Sequence, residues 1–173
     1  TLKNIGFILP HFDIEKDVFA LKGYSIFKEN KKIAFIKAED SRGLIYMLSK
    51  DKAQFLYDLP YKDNHIVVNV ILKKRRISPE YKDDKISFKL DFAFSGEVEY
   101  MKTLMPLEES DIKKLEEILI KEVRSDIRMH LVKAQVLLTC DYMNFYKHFR
   151  ARYPVAFKSM NWNKAFSKAE ISL

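Results

Sequence analysis

Lys85-Ile86-Ser87-Phe88-Lys89-Leu90-Asp91-Phe92-Ala93-Phe94-Ser95 decides the fold class. Ile86, Phe88, Leu90, Phe92 and Phe94 recur at every second position, with Ser87, Lys89, Asp91 and Ser95 between them, so the stretch is a strand with one face in a core and one in water. The strand is predicted to run on to Tyr100. Just upstream, His65 to Ile77 carries Ile66, Val68, Val70 and Leu72 on one face and Val67 and Ile71 on the other, the pattern of a central strand buried on both sides. Asp83-Asp84 separates the two long strands, and so short a polar link makes an antiparallel hairpin the natural pairing.

Working further upstream, Tyr24–Lys28 and Ile33–Lys37 flank the polar link Glu29-Asn30-Lys31-Lys32 and form a second hairpin. Asp40 and Ser41 precede Leu44, Met47 and Leu48, whose three- and four-residue spacing predicts a short capped helix. Ala53 to Asp58 reads as a short strand closed by Pro60. Residues 1–20 are read as a linking segment from an upstream domain.

Downstream the period changes from two to 3.6. Ile112, Leu115, Leu119, Val123, Ile127, Leu131, Ala134 and Leu138 share one face, with Lys, Glu and Arg opposite. Pro106 suits a first helical position, and Glu108, Glu109 and Asp111 favour the positive end of the helix dipole. Unbroken from Pro106 to Thr139 the helix would measure about 50 Å, longer than the ~40 Å width of a compact chain of this size, so it is expected to bend, overhang or break near Thr139–Asp141. Tyr142, Phe145, Tyr146, Phe149 and Tyr153 then form a second, aromatic helix behind Asp141 and ahead of Pro154. Ala165 to Leu173 alternates again, as a last strand returning to the sheet.

The whole is 173 residues, 47% hydrophobic and 13% aromatic with four Gly and five Pro, enough apolar material for one packed domain over 1–173. The longest apolar runs have strand length, far short of the ~20 residues of a spanning helix. The chain opens at Thr1 without Met or a leader-like apolar stretch, which suits a piece of a longer protein. One cysteine, Cys140, excludes an internal disulfide framework and a Cys-rich zinc site.

Candidate chemistry is sparse. His11, His65, His130 and His148 never fall as an i, i+4 pair with an acidic partner, and read as surface or cap residues rather than metal ligands. Four glycines leave no phosphate-cradling loop, and no cofactor is expected. Cys140 lacks the surround of a nucleophile. Glu97 and Glu99 share a strand face, but nothing beside them would split their pKa values for acid–base work, so a partner-facing or structural role is the better reading. Lys73-Lys74-Arg75-Arg76 is the sharpest charge feature of a chain whose net charge is +7. On a strand the four alternate faces and no exposed aromatics interleave with them, which argues for a solvated strand end or contact with an anionic surface over nucleic-acid binding. A basic nucleic-acid-binding module stands as the alternative reading. Gln135, beside the apolar stripe, is expected to be half-buried and bonded to backbone.

The order of these residues resembles the C-terminal domain of the Ger(x)C family, the lipoprotein C subunits of spore germinant receptors, from Leu21 to Leu173. Gly23-Tyr24-Ser25-Ile26-Phe27-Lys28 followed by Glu39-Asp40-Ser41-Arg42-Gly43-Leu44 carries the likeness most specifically. Gly96-Glu97-Val98-Glu99, Leu115-Glu116, Gln135 with Asp141, Pro154, Asn161-Trp162 and Phe166 extend it. The sequence departs after Asp141, where the family commonly has Gly and this chain has Tyr142-Met143-Asn144. The family's lipid-modified Cys is not in this chain.

The resemblance implies a non-enzymatic subunit, held by an upstream lipid anchor on the outer face of the spore inner membrane. It further implies two multi-spanning partners, of A type and B type, and no nucleic acid. Gly23, Phe27, Arg42, Gly43, Gln135, Asp141 and Trp162 are then expected to be architectural. Lys73–Arg76 with Glu97 and Glu99 are the expected partner or membrane contacts. The fold class is α+β: a largely antiparallel sheet against one long helix and a shorter aromatic one.

Overall fold

The computed structural model describes residues 5–15, 17–50 and 52–173. Strands β1 (Phe7–Glu15), β2 (Val18–Lys28) and β3 (Lys31–Lys37) form one antiparallel sheet in that order. The β2–β3 turn is tighter than the four polar residues suggest: only Glu29 and Asn30 lie outside the strands, both with positive φ, the twist that a two-residue hairpin needs. α1 (Arg42–Leu48) follows. Ser41 occupies its N-cap position, but its hydroxyl donates to the Ala38 carbonyl instead of capping the helix.

β4 (Gln54–Tyr61), β5 (Asn64–Lys82), β6 (Lys85–Met101) and β7 (Glu170–Ser172) make the second sheet, again in that order. The β5–β6 hairpin turns at Asp83-Asp84 as expected, with both residues at positive φ. β4 runs through Pro60 rather than ending there, because on an edge strand the missing N–H faces away from the ladder. Along β5, Ile66, Val68, Val70 and Leu72 are buried, while Val67 and Ile71 are half-buried. The second face is therefore only partly covered. β7 pairs parallel to Ser87–Lys89 of β6. It is three residues long, because Ala165 and Phe166 belong to a helix instead.

The long helix α2 (Glu109–Val132) opens three residues later than Pro106 suggests. Glu108 and Asp111 form a reciprocal capping box, and the local charge rather than the proline sets the start. Its length is resolved by a π-helical turn over Lys133–Leu137 and a break at Thr139, whose φ is 45°. α3 (Phe145–Arg152), α4 (Pro154–Ser159) and α5 (Trp162–Phe166) complete the chain. Asn144, not Asp141, sits at the N-cap of α3, yet the Asp141 carboxylate accepts the Phe145 and Tyr146 N–H groups and does the capping from three residues upstream. The rings of Phe88, Phe145, Phe149, Trp162 and Phe166 interlock between sheet and helices as the core of that end.

Candidate functional site

Gly43 begins the construction. A Cβ there would stand 2.2 Å from the Asp126 carbonyl oxygen, so α1 and α2 cross at backbone contact. That crossing brings Arg42 Nε to 3.2 Å from Asp126 Oδ2, while the Tyr57 hydroxyl donates to the same oxygen at 2.8 Å and the Arg42 guanidinium lies 4.3 Å from the Tyr57 ring centre. Burial, reinforced by Asp126, drives the Tyr57 hydroxyl far above the ordinary phenol range. A neutral phenol and an ion pair with the carboxylate consumed by two partners make a clamp, with no group poised to exchange protons. One turn on, His130 is buried rather than at the surface, its Nε2 donating to the Asp40 carbonyl at 2.8 Å and its Nδ1 left without a partner. Burial lowers its pKa.

The second cluster joins the end of α2 to the C-terminal helices. Gln135 Nε2 donates to the carbonyls of Phe166 and Ala169 at 2.9 and 2.8 Å, as its place beside the apolar stripe predicts. Trp162 Nε1 donates to Asp141 Oδ2 at 2.9 Å. Asp141 is fully buried, and burial raises its pKa against the pull of its donors. Cys140 is buried next to it, with its thiol pushed up to about 11 by that burial. A thiol so placed is not an activated nucleophile. Gly23, at φ +148°, has the Ile36 carbonyl oxygen 2.0 Å from where a Cβ would sit, and Phe27 stacks on Phe7 at 5.1 Å. Arg42, Gly43, Gln135, Asp141 and Trp162 thus lie at contacts between elements, Gly23 where β2 closely approaches β3, and Phe27 half-buried beside Phe7.

The charged residues lie elsewhere, on the two edges of the second sheet. β4 pairs with β5 only as far as Ile71, and Lys73–Arg76 follow where β5 loses that neighbour. A bulge at Leu72/Lys74 interrupts the register there. Lys73, Lys74 and Arg76 are exposed. Arg75 departs from the cluster, since its guanidinium donates to the Met47 carbonyl and burial lowers its pKa. Glu97 and Glu99 are exposed on β6 beyond the reach of β7, with Asn69 donating to Glu99 at 3.3 Å. Sequence reasoning brought these two groups onto one domain; the structure sets them on opposite edges of it. Charge on an open edge also blocks strand-to-strand aggregation.

Two features had no counterpart in the sequence reading. One is a cleft of about 590 Å³ between α2 and the β5–β6 face, lined by Val68, Phe94, Gly96, Leu119 and Val123 among others. The helix period and strand alternation that signal a packed helix–sheet layer say nothing of how closely the layers approach. The other is a set of exposed apolar side chains on β1–β3, with Phe12, Ile14 and Phe19 among them. Among the described residues no group of His, Cys, Asp and Glu could hold a metal ion, and no helix is long and apolar enough to cross a membrane.

The family model described as "Spore germination B3/GerAC like, C-terminal" matches residues 22–173. The chain belongs to the Ger(x)C family. Ger(x)C proteins are associated with spore germination as receptor C subunits and are not known enzymes. The crystal structure of the GerBC protein is similar over 98% of this chain and 54% of that one, at 19% identity and a TM-score of 0.79. That similarity is one of fold. This Ger(x)C domain spans about half the length of the solved protein. No curated protein matches the sequence.

Proposed function

We propose that this domain is the non-enzymatic, partner-binding end of a C subunit of a spore germinant receptor, acting through protein–protein contact at the outer face of the spore inner membrane. The Ger(x)C family match carries the reading. In it, an upstream lipid anchor holds the protein to the membrane, and A-type and B-type multi-spanning subunits are its partners. Lys73, Lys74 and Arg76 on one sheet edge, and Glu97 and Glu99 on the other, are the contacts offered to them. Arg75 instead serves the fold through Met47. A basic face near an anionic leaflet gains ~1 kcal/mol per well-placed Lys or Arg, so the net charge of +7 favours this position.

The test is capture of the full-length parent protein from detergent-solubilised spore inner membranes, followed by identification of what accompanies it. Two multi-spanning subunits are expected. Recovery of nucleic acid in their place, with the protein in the soluble fraction, would overturn the reading.

A further inference from the structure

One edge of β6 is only partly used. β5 pairs with the strand from Lys85 to Met101, but β7 meets the other edge only at Ser87–Lys89. From Phe92 to Tyr100 no strand lies beside that edge among the described residues. Gly96, Glu97, Val98, Glu99 and Tyr100 are all exposed. An unpaired run of backbone N–H and C=O groups of this length is a template for one more strand. The cleft under α2 opens beside it. Leu90, Phe92, Phe94, Gly96 and Val98 alternate along the face of β6 that forms its floor, and Ile112, Leu119 and Ile120 of α2 form the facing wall. Val98, Ile112 and Ile120 are 46%, 46% and 56% exposed, so the α2 layer stops short of the edge strand. β7 shows how the edge is used where it is paired: Ile171 lies opposite Phe88 and packs on the core, and Leu173, two residues on, lines the cleft. A segment continuing along that line would bond to the β6 backbone and send every second side chain into the cleft.

The geometry points to strand addition: the β6 edge from Phe92 to Tyr100 takes an extended segment of a partner protein, with apolar residues at alternate positions and Lys or Arg between them. The free edge selects a strand over a helix, which would fill the cleft but leave the β6 backbone unpaired. The apolar positions follow from the cleft lining. The cations follow from Glu97 and Glu99, which have no cationic partner among the described residues; Asn69 alone donates to Glu99. Neighbouring strands lie ~4.8 Å apart, so a side chain of the added strand beside Glu97 stands within reach of its carboxylate. Of the charged residues lining the cleft, Asp91 is paired with Lys89, Glu116 adds a carboxylate, and Arg124 is the one cation. A second copy of this chain is a poor occupant, because two such edges would set Asp91, Glu97 and Glu99 against the same acids. The inference rests on the partner-contact reading of Glu97 and Glu99 and deepens it. Binding of a free peptide needs neither receptor nor membrane, so its failure is distinct from a failure to recover the partner subunits.

Hydrogen exchange of the purified full-length parent, read by mass spectrometry with and without a short capped peptide alternating lysine and valine, tests it. With about nine-tenths of the protein occupied, the edge amides of residues 92–100 should exchange about tenfold more slowly. Glutamate in place of the lysines, or serine in place of the valines, should abolish the slowing. Glu97→Lys with Glu99→Lys, both at exposed positions, should lose the response to the lysine peptide and gain one to the glutamate peptide. No slowing at 92–100, or equal slowing by the glutamate or the serine peptide, would overturn the inference. So would slowing confined to α2, which would indicate an apolar ligand in the cleft. Amides of 92–100 already slow in the dilute free parent would mean that its own chain covers the edge, and slowing that grows with protein concentration alone would mean a second copy; either result also overturns it.

Discussion

Replacing Gly43 with alanine tests the central joint of the domain. The added Cβ would sit 2.2 Å from the Asp126 oxygen, 2.3 Å from its carbon and 2.6 Å from the Ile127 nitrogen. These are backbone atoms of a long helix and cannot rotate away. Ordinary contact needs about 3.5 Å, so α1 and α2 must part by about 1 Å. Overpacking of this kind costs ~1–3 kcal/mol. Parting the helices also stretches the Arg42–Asp126 pair and the Tyr57 bond, worth about 1 kcal/mol more for a half-buried network. Alanine returns ~1 kcal/mol through its better helix propensity. The net loss is about 1–3 kcal/mol, which for a chain of this length lowers Tm by roughly 2–12 °C. Thermal unfolding followed by circular dichroism reads it. Gly96→Ala is the internal control: its Cβ meets only side-chain ends, Val68 Cγ1 at 3.2 Å and Leu119 Cδ1 at 3.8 Å, and Tm should hardly move. A Gly43→Ala protein that melts at or above the parent temperature would refute the close-crossing argument.

Trp162→Phe keeps the ring but removes the N–H that satisfies the fully buried Asp141, so a loss of ~1.5–3 kcal/mol is expected in denaturant unfolding, with an unchanged Tm counting against an architectural role. Gln135→Glu turns a double donor into an acceptor facing the carbonyls of Phe166 and Ala169; the protein should be less stable, and more so as pH rises and the carboxyl ionises, which a pH series of unfolding midpoints checks. His130 has a lowered folded pKa, so its contribution is present above the unfolded value of about 6.5 and is lost as pH falls below it, where the unfolded chain binds more protons. His130→Gln, which keeps a donor for the Asp40 carbonyl, should flatten the decline in stability below that pH, and an identical pH profile would contradict the assignment.

The β5–β6 hairpin was legible because both strands alternate without interruption and two aspartates mark the turn. β1 was not, because Phe7-Ile8-Leu9 shows no alternation and Pro10 follows it directly, leaving no run from which a strand can be read. The start of α2 was misplaced by Pro106 because a capping box between Glu108 and Asp111 outweighs a helix-compatible proline. Of the site, Gln135 could be read from its position on the helical stripe alone. The Trp162–Asp141 bond and the Arg42–Asp126–Tyr57 clamp could not: they join residues brought together only by the tertiary fold, and no local period encodes them. Charge at Lys73–Arg76 was visible in the sequence, but the diversion of Arg75 to the Met47 carbonyl depends on where α1 docks.

The central claim is that this domain serves nutrient-triggered germination through its charged sheet edges. Spores whose full-length protein carries Lys73→Glu, Lys74→Glu and Arg76→Glu together, with protein abundance checked by immunoblot, test it in one measurement of optical-density loss after nutrient addition. The account predicts a normal amount of protein and a lost or strongly slowed response. A response as fast as that of unaltered spores would contradict it.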